Sequence, residues 1–316
     1  MKRYIPILFV LLSGLITGCQ SDDAEQPEEV QILVALGKEE TVMRSVDGAR
    51  FVNGDKFRFF FNSGLPQGAY SDPANTDGSD TDHKQTDYTY DGKKWTTYNP
   101  IYWDDHRKKI EEREFCAVLP FSLNYQATET KNDVFNIQTD QSIADSTAYK
   151  ASDLLIARIK TNKRLIPLRF FHVLSKVNVN VIIPVNDNND DKYNDHFNSD
   201  IIITDVSLNN IKPVTNITYS DLTTSSIGIE VTTTASGTIT PVNMLCTKAQ
   251  ATNSSQVTAS YTAIIPQQSI AVSDLVVTFS INVDGVDKEY YFKHTAPINY
   301  EQGKATTLTI TLGKSK

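Results

Sequence analysis

Between Thr306 and Leu312 the chain alternates threonine with larger apolar residues, so that Leu308, Ile310 and Leu312 fall on one side and Thr307, Thr309 and Thr311 on the other. The same two-residue period sets Val30, Ile32, Val34 and Leu36 on one face, and it recurs along most of the sequence between these two stretches. Successive strand side chains point to opposite faces, so this pattern buries one face of a sheet and does not suit a helix. Val, Ile, Thr, Tyr and Phe fill most of these positions, and all five fit a pleated surface. An all-β fold is therefore expected.

Predicted strands are Val30–Leu36, Lys56–Phe61, Tyr88–Tyr90, Trp95–Thr97, Glu114–Leu119, Leu154–Lys160, Ile166–Phe171 and Lys176–Ile183. Further along come Ile201–Leu208, Gly228–Thr233, Gly237–Thr240, Thr258–Ile265, Leu275–Val283, Glu289–His294 and Thr306–Leu312. Asn53-Gly54-Asp55 and Asp91-Gly92 mark tight turns, where glycine accepts a positive φ. Helical signals are confined to Ser142–Ala151, with a turn at Ser220–Thr224. Short strands at this spacing, separated by Asn, Gly and Pro, point to β-sandwiches.

The N-terminus has its own pattern. Lys2 and Arg3 precede an apolar stretch from Ile5 to Ile16, and Leu15-Ile16-Thr17-Gly18-Cys19 follows. About a dozen apolar residues are too few to span a bilayer, which takes roughly 20 in a helix, so residues 1–18 read as a cleaved lipoprotein signal. Cys19 is then the lipidated first residue of the mature chain, and its acyl chains tie it to a membrane. Residues 19–29 form an acidic tether resembling an export tag for the outer face of the Gram-negative outer membrane. Length suits two domains, read as 30–185 and 201–316. Asn186–Asp200, dense in Asn and Asp, reads as a linker between them or as a long loop.

The formal charge of −8 leaves no basic footprint for nucleic acid. His83, His106, His172, His196 and His294 show no metal-ligand spacing, and neither a nucleophile elbow nor a phosphate-binding glycine loop is present. His172, after Phe170-Phe171, reads as a hydrogen-bonded core histidine. Asp187-Asn188-Asn189-Asp190-Asp191 resembles the start of a calcium loop, but Lys192 stands where that loop needs Gly and Asn198 where it needs Glu. Asp104-Asp105 would face opposite ways in a strand, and the acidic Asp72–Asp82 stretch reads as a solvated hairpin tip. No metal, cofactor or catalytic group is expected. Cys116 and Cys246 are either a disulfide or two buried free thiols, the second reading being favoured. Tyr88, Tyr90, Trp95, Tyr98, Tyr102 and Trp103 form an aromatic cluster suited to cross-strand packing or to stacking on a sugar, with packing favoured.

Several stretches in order resemble one family: the box at Cys19, Phe51-Val52-Asn53-Gly54-Asp55-Lys56-Phe57, Tyr90-Asp91-Gly92-Lys93-Lys94-Trp95, Phe115-Cys116-Ala117-Val118-Leu119-Pro120 and Leu168-Arg169-Phe170-Phe171-His172-Val173. Ile101-Tyr102-Trp103, Ser152-Asp153-Leu154-Leu155-Ile156-Ala157, Ile264-Ile265-Pro266-Gln267 and Glu301-Gln302-Gly303-Lys304 complete the set. Together they are similar to the fimbrillins, the pilin subunits of Gram-negative type V pili. The resemblance implies two transthyretin-like, Greek-key β-sandwich domains in tandem and no enzymatic activity. It also implies a partner set of other pilus subunits, the outer membrane through the lipid, and a host glycan or protein receptor. In that scheme a trypsin-like protease cuts after Arg44 or Arg50, with Arg44 the first choice. The strand carrying Val30, Ile32, Val34 and Leu36 then leaves, and a donor strand such as that of Leu308, Ile310 and Leu312 fills the groove of the next subunit. The alternatives are a subunit left uncut as a pilus anchor and a monomeric glycan-binding surface lipoprotein.

Overall fold

The computed structural model describes residues 33–36, 51, 53–61, 85–98, 112–120, 132–163, 165–186, 197, 200–222, 231–253 and 255–313. Its elements in chain order begin with β1 (Leu33–Leu36), β2 (Lys56–Phe61), β3 (Gln85–Tyr90), β4 (Trp95–Thr97), β5 (Arg113–Leu119), β6 (Asn132–Asn136) and the short helix α1 (Thr147–Ser152). There follow β7 (Leu155–Thr161), β8 (Leu165–Leu168), β9 (Phe171–His172), β10 (Ser175–Pro184), β11 (Ile201–Ile211), β12 (Val214–Tyr219), β13 (Val231–Ser236) and β14 (Thr240–Asn243). The last are β15 (Leu245–Thr252), β16 (Gln256–Ile265), β17 (Gln268–Ile270), β18 (Leu275–Val283), β19 (Val286–Lys293), β20 (Ile298–Tyr300) and β21 (Ala305–Thr311). The chain is all-β with several sheets.

A six-stranded antiparallel sheet, β4-β3-β2-β5-β7-β9, organises the first half. Its central strands β5 and β7 are buried on both faces, which explains why they read as nearly continuous apolar runs rather than alternations. One face, with Phe57, Phe59, Phe115, Ala117, Leu119, Leu155 and Ile159, packs against Phe51, Ile166, Leu168 and Phe170. Each buried ring or aliphatic side chain stabilises the fold by about 1.5–3 kcal/mol. The opposite face, with Phe60, Cys116, Val118 and Ile156, shares a core with Phe135 of β6 and with Ile217 and Tyr219 of β12. β12 lies at the centre of the three-stranded layer β13-β12-β6.

A buried polar network fastens that layer to the large sheet. Arg158, only 4% exposed, donates from Nη2 to Glu114 Oε1 at 2.8 Å and to the Ser220 carbonyl at 2.9 Å. Its guanidinium lies 5.2 Å from the Tyr219 ring centre, and the Tyr219 hydroxyl donates to Asp133 Oδ2 at 2.8 Å. A buried cation is tolerable only when its donors are matched in this way.

The second half is a sandwich. Sheets β15-β16-β10-β21 and β14-β11-β18-β19 turn alternate residues into one core, with Val177, Val179, Val181 and Ile183 of β10 meeting the apolar face of β11 and β18, including Val206, Phe279 and Ile281. Val177 to Ile183 bury every second side chain, as the period-2 reading requires. Pairing crosses the Asn/Asp-rich segment: β10 before it pairs with β16 and β21 after it, and β6 pairs with β12. A division at residues 186–200 therefore does not follow the sheet pairing. Phe197, 1% exposed, anchors the end of that segment through hydrogen bonds to Pro184 O and from Asn186 N, with its ring 5.6 Å from Tyr290.

Residues 137–141 join the two halves. Ile137 N donates to Pro213 O, and Asn243 exchanges backbone bonds with Thr139 and Gln141. Gln141 is fully buried and completes the edge of β16 by itself: Nε2 donates to Ile264 O at 2.8 Å and Oε1 accepts from Ile264 N at 2.9 Å. Gln141→Ala leaves both backbone groups buried and unpaired, at about 1–3 kcal/mol for each. A loss of about 2–6 kcal/mol in urea unfolding is expected, and a change within experimental error would show that the two groups find other partners.

Five core tyrosines give the fold an alkaline limit. Burial pushes the Tyr88 phenol up to about 12, and burial also raises Tyr149, Tyr219, Tyr261 and Tyr300 above the ordinary 10. The neutral forms fit the core, so this stability is fully present below pH 10, the unfolded value, and is lost as pH rises through the folded values. Circular dichroism against pH is expected to show unfolding that coincides with phenolate absorbance. Phenolate appearing near pH 10 in a still-folded chain would contradict this.

Local differences from the sequence reading have physical causes. Ile166–Phe171 is two strands, because the chain switches from β1, which β8 joins, to β7, which β9 joins. The helix is Thr147–Ser152, shorter than Ser142–Ala151. Gly237, at φ 93°, turns the chain, so the strand expected at Gly237–Thr240 starts at Thr240. β6, β12, β15, β17 and β20 were not expected as strands; β15 is an edge with two register shifts and a mostly exposed side.

Candidate functional site

The predicted donor strand is an edge strand of its own sheet. β21 pairs with β10 in parallel register, from Lys176↔Ala305 to Ile182↔Thr311. Ile310 and Leu312 are buried, and Leu308 packs against the core while half-buried. Asn178 Nδ2 reaches Thr307 Oγ1 at 3.4 Å on the outer face. One side of β21 thus holds seven register pairs, and its other side has no strand beside it among the described residues.

The turn that feeds β21 is fastened far more firmly. Gly303 N donates to Leu174 O and Lys176 N to Lys304 O, both at 3.0 Å, while Ser175 Oγ donates to the Glu301 carbonyl. Gly303 has φ 68°, and a Cβ there would meet the His172 carbonyl at 3.1 Å, so glycine suits both the backbone and the space. Gln302 Nε2 donates to Val231 O and Gln302 Oε1 accepts from Thr233 Oγ1. Gln267 Nε2 donates to Thr233 O, and its Oε1 accepts from Gln302 N. These two glutamines, present in the stretches that carried the family resemblance but given no role there, clamp the edge of β13 to the root of β21.

The predicted removable strand is described only in part. β1 runs parallel to β8, with Val34 opposite Ile166 and Leu36 opposite Leu168, and Ile166 and Leu168 belong to the first core. Cys19, Val30, Ile32, Arg44 and Arg50 lie outside the described residues, as do the calcium-like run from Asp187, the acidic stretch Asp72–Asp82 and the Asp104-Asp105 pair. Among the described residues no group of three His, Cys, Asp or Glu side chains is placed to hold a metal. No helix among them is long and apolar enough to cross a membrane.

The aromatic hairpin packs inward. Trp95 is half-buried, with its ring 5.0 Å from Phe51, 4.6 Å from Phe57 and 5.2 Å from Tyr90. Tyr88 stacks on Phe57 at 5.1 Å, whereas Tyr98 is 87% exposed. Tyr102 and Trp103 lie outside the described residues. His172 Nδ1 is 2.8 Å from Asp153 Oδ1, the hydrogen-bonded arrangement expected, although its ring is part-exposed. Both cysteines are free; Cys116 is buried as expected, but Cys246 is exposed on edge strand β15 rather than buried.

These features define a class: an all-β protein of stacked sheets whose first and last strands among the described residues lie at sheet edges. A family model described as fimbrillin-like matches residues 48–316, and the chain belongs to that family. Among solved structures, a protein assigned to cell adhesion from Bacteroides uniformis ATCC 8492 has a TM-score of 0.50 at 14% identity, covering 90% of this chain and 94% of its own. That agreement shows a shared fold. A protein assigned to cell adhesion from Bacteroides ovatus ATCC 8483 gives 0.47 at 13% identity, covering 90% and 92%. A fimbrial protein from the same strain gives 0.42 at 14%, covering 91% of this chain and 50% of its own. No curated protein matches the chain.

Proposed function

We propose that this chain is a structural and adhesive fimbrial subunit, exported as a lipoprotein on Cys19 to the outer membrane and assembled by strand exchange once a protease cuts after Arg44 or Arg50. The observation that carries the reading is the seating of β21, an edge strand with a strand partner on one side only among the described residues, whose apolar face is buried at Ile310, and at Leu312 just beyond it, and half-buried at Leu308. A strand of this kind gains ladder hydrogen bonds and apolar burial from any sheet edge it joins. Joined head to tail, such subunits do not close on themselves and extend into a filament. β1, with four register pairs to β8 alone among the described residues, is the smaller attachment and suits a strand that is given up. The transthyretin-like reading assigns its two units to the layers around the six-stranded sheet and to the four-on-four sandwich.

The inward packing of Trp95 supports this reading over a monomeric glycan binder that stacks sugars on the Trp95–Trp103 hairpin. Mass spectrometry of the surface-extracted protein tests it. A mature N-terminus just after Arg44 or Arg50, in detergent-resistant ladders, is the expected result. An N-terminus still at lipidated Cys19 in every polymer would instead identify an uncut anchor subunit and remove the cleavage step.

A further inference from the structure

A cleft of about 680 Å³ opens where the three-stranded layer meets the sandwich, between β13, the β17–β20 pair and the end of β11. Junctions of this kind, at this volume, are where folded chains take up small ligands. Amide side chains on its wall are already fixed by the protein. Asn210 Nδ2 donates to Leu275 O at 2.8 Å, and Asn299 Oδ1 accepts from Ser269 Oγ at 2.6 Å. The remaining half of each amide, an acceptor on Asn210 and donors on Asn299, has no partner among the described residues. Thr234 adds an exposed hydroxyl, and Tyr300, buried in the wall, has a phenol without a hydrogen-bond partner among the described residues. Ile239, 55% exposed, gives the cleft an apolar lip.

The chemistry selects a ligand. Asp274 and Glu301 outnumber Lys212 on the lining, so an anion is repelled. An extended peptide adding to the outer edge of β13 would need its outward carbonyls, and those of Val231 and Thr233 are already taken by Gln302 and Gln267. Neighbouring hydroxyls on a sugar ring both donate and accept, which matches a wall that offers the amide oxygen of Asn210 and the amide N–H groups of Asn299. The ring's C–H face matches Ile239. We propose that this cleft binds a neutral oligosaccharide of roughly two or three units, hydrogen-bonded by Asn210, Asn299 and Thr234. This deepens the adhesive part of the proposed function, on which it rests for its biological setting, and is independent of filament assembly.

The test is a glycan array probed with the full chain, followed by calorimetric titration with lactose, maltose, cellobiose and diacetylchitobiose, with sialyllactose as a charged comparison. Saturable binding of at least one neutral probe is expected. Asn299→Ala and Thr234→Val, each with a wild-type melting temperature, weaken it about tenfold, the loss expected for a hydrogen bond in a confined site. Ile239→Asp reduces it further, and Tyr98→Ala in the aromatic hairpin leaves it unchanged. Retention of no neutral glycan, a preference for sialyllactose, or binding lost with Tyr98→Ala but unaffected by the cleft substitutions overturns the proposal. Filament formation by the same variants is scored separately, so a failure of ligand binding and a failure of assembly are distinguishable.

Discussion

Ending the chain after Lys304 is expected to remove cooperative unfolding and to make the protein bind a peptide of residues 305–312. The truncation takes away seven register pairs on β10 and the buried side chains of Ile310 and Leu312, and it uncovers the core beneath Leu308. Apolar burial alone is worth about 1.5–3 kcal/mol for each fully buried side chain. With the ladder bonds added, the loss reaches about 5 kcal/mol or more, comparable with the whole stability of many domains. The upstream turn remains clamped by Gln267, Gln302 and Ser175, so the damage starts at a defined point, and the rest of the sheet keeps a vacant edge of known register. A synthetic peptide of residues 305–312 is expected to restore the melting transition, while the same peptide with Ile310→Asp is not. A truncated chain that melts like the full one, or that ignores the peptide, would show that β21 is not an exchangeable strand.

Replacing Arg158 by alanine is expected to cost about 3–5 kcal/mol, the range found when one member of a buried charged pair is removed. The guanidinium joins three partners from two places in the sequence: Glu114 on β5, and the ring of Tyr219 and carbonyl of Ser220 at the end of β12. Its loss leaves the Glu114 carboxylate without its arginine and the layer junction without its central donor. Arg158→Met together with Glu114→Gln is expected to recover part of the loss, since an apolar side chain of similar volume restores packing and the neutral partner lowers the cost of burying a carboxylate without its arginine. Urea unfolding of the two variants separates packing from pairing. An Arg158→Ala protein as stable as wild type would mean that the junction is held by the apolar contacts alone.

The sequence made strands legible wherever one face is buried and the other is wet. β10 and β21 are the clearest cases, since Val177 to Ile183 and Leu308 to Leu312 each keep a strict two-residue period. β6 was hidden because Asn132–Asn136 is rich in Asn and Asp, which are depleted in strands; it becomes a strand through β12, more than eighty residues away, and Tyr219–Asp133 is part of that junction. Alternation says which face is buried but not which strand lies alongside, so the pairing of β10 across residues 186–200 could not be read. Gln141, Gln267 and Gln302 were equally silent. Each acts by bonding backbone groups distant in sequence, and a lone glutamine carries no mark of such a partner. The aromatic hairpin was better specified, because Asp91-Gly92 fixes its turn and thereby places Tyr90 opposite Trp95.

The parallel run of β10 and β21 has a mechanical meaning. β10 leaves the six-stranded sheet at Ser175 and travels ten residues, about 30 Å, to the far end of the sandwich, and β21 keeps it company from Lys304 to Leu312. Tension applied beyond Leu312 therefore acts along the strand axis, and the seven rungs share the load in shear instead of opening one after another. The clamped turn at Glu301–Lys304 takes up the reaction at the other end. A subunit pulled along this axis resists as a lap joint, whereas a load applied sideways would peel the same strand at far lower force.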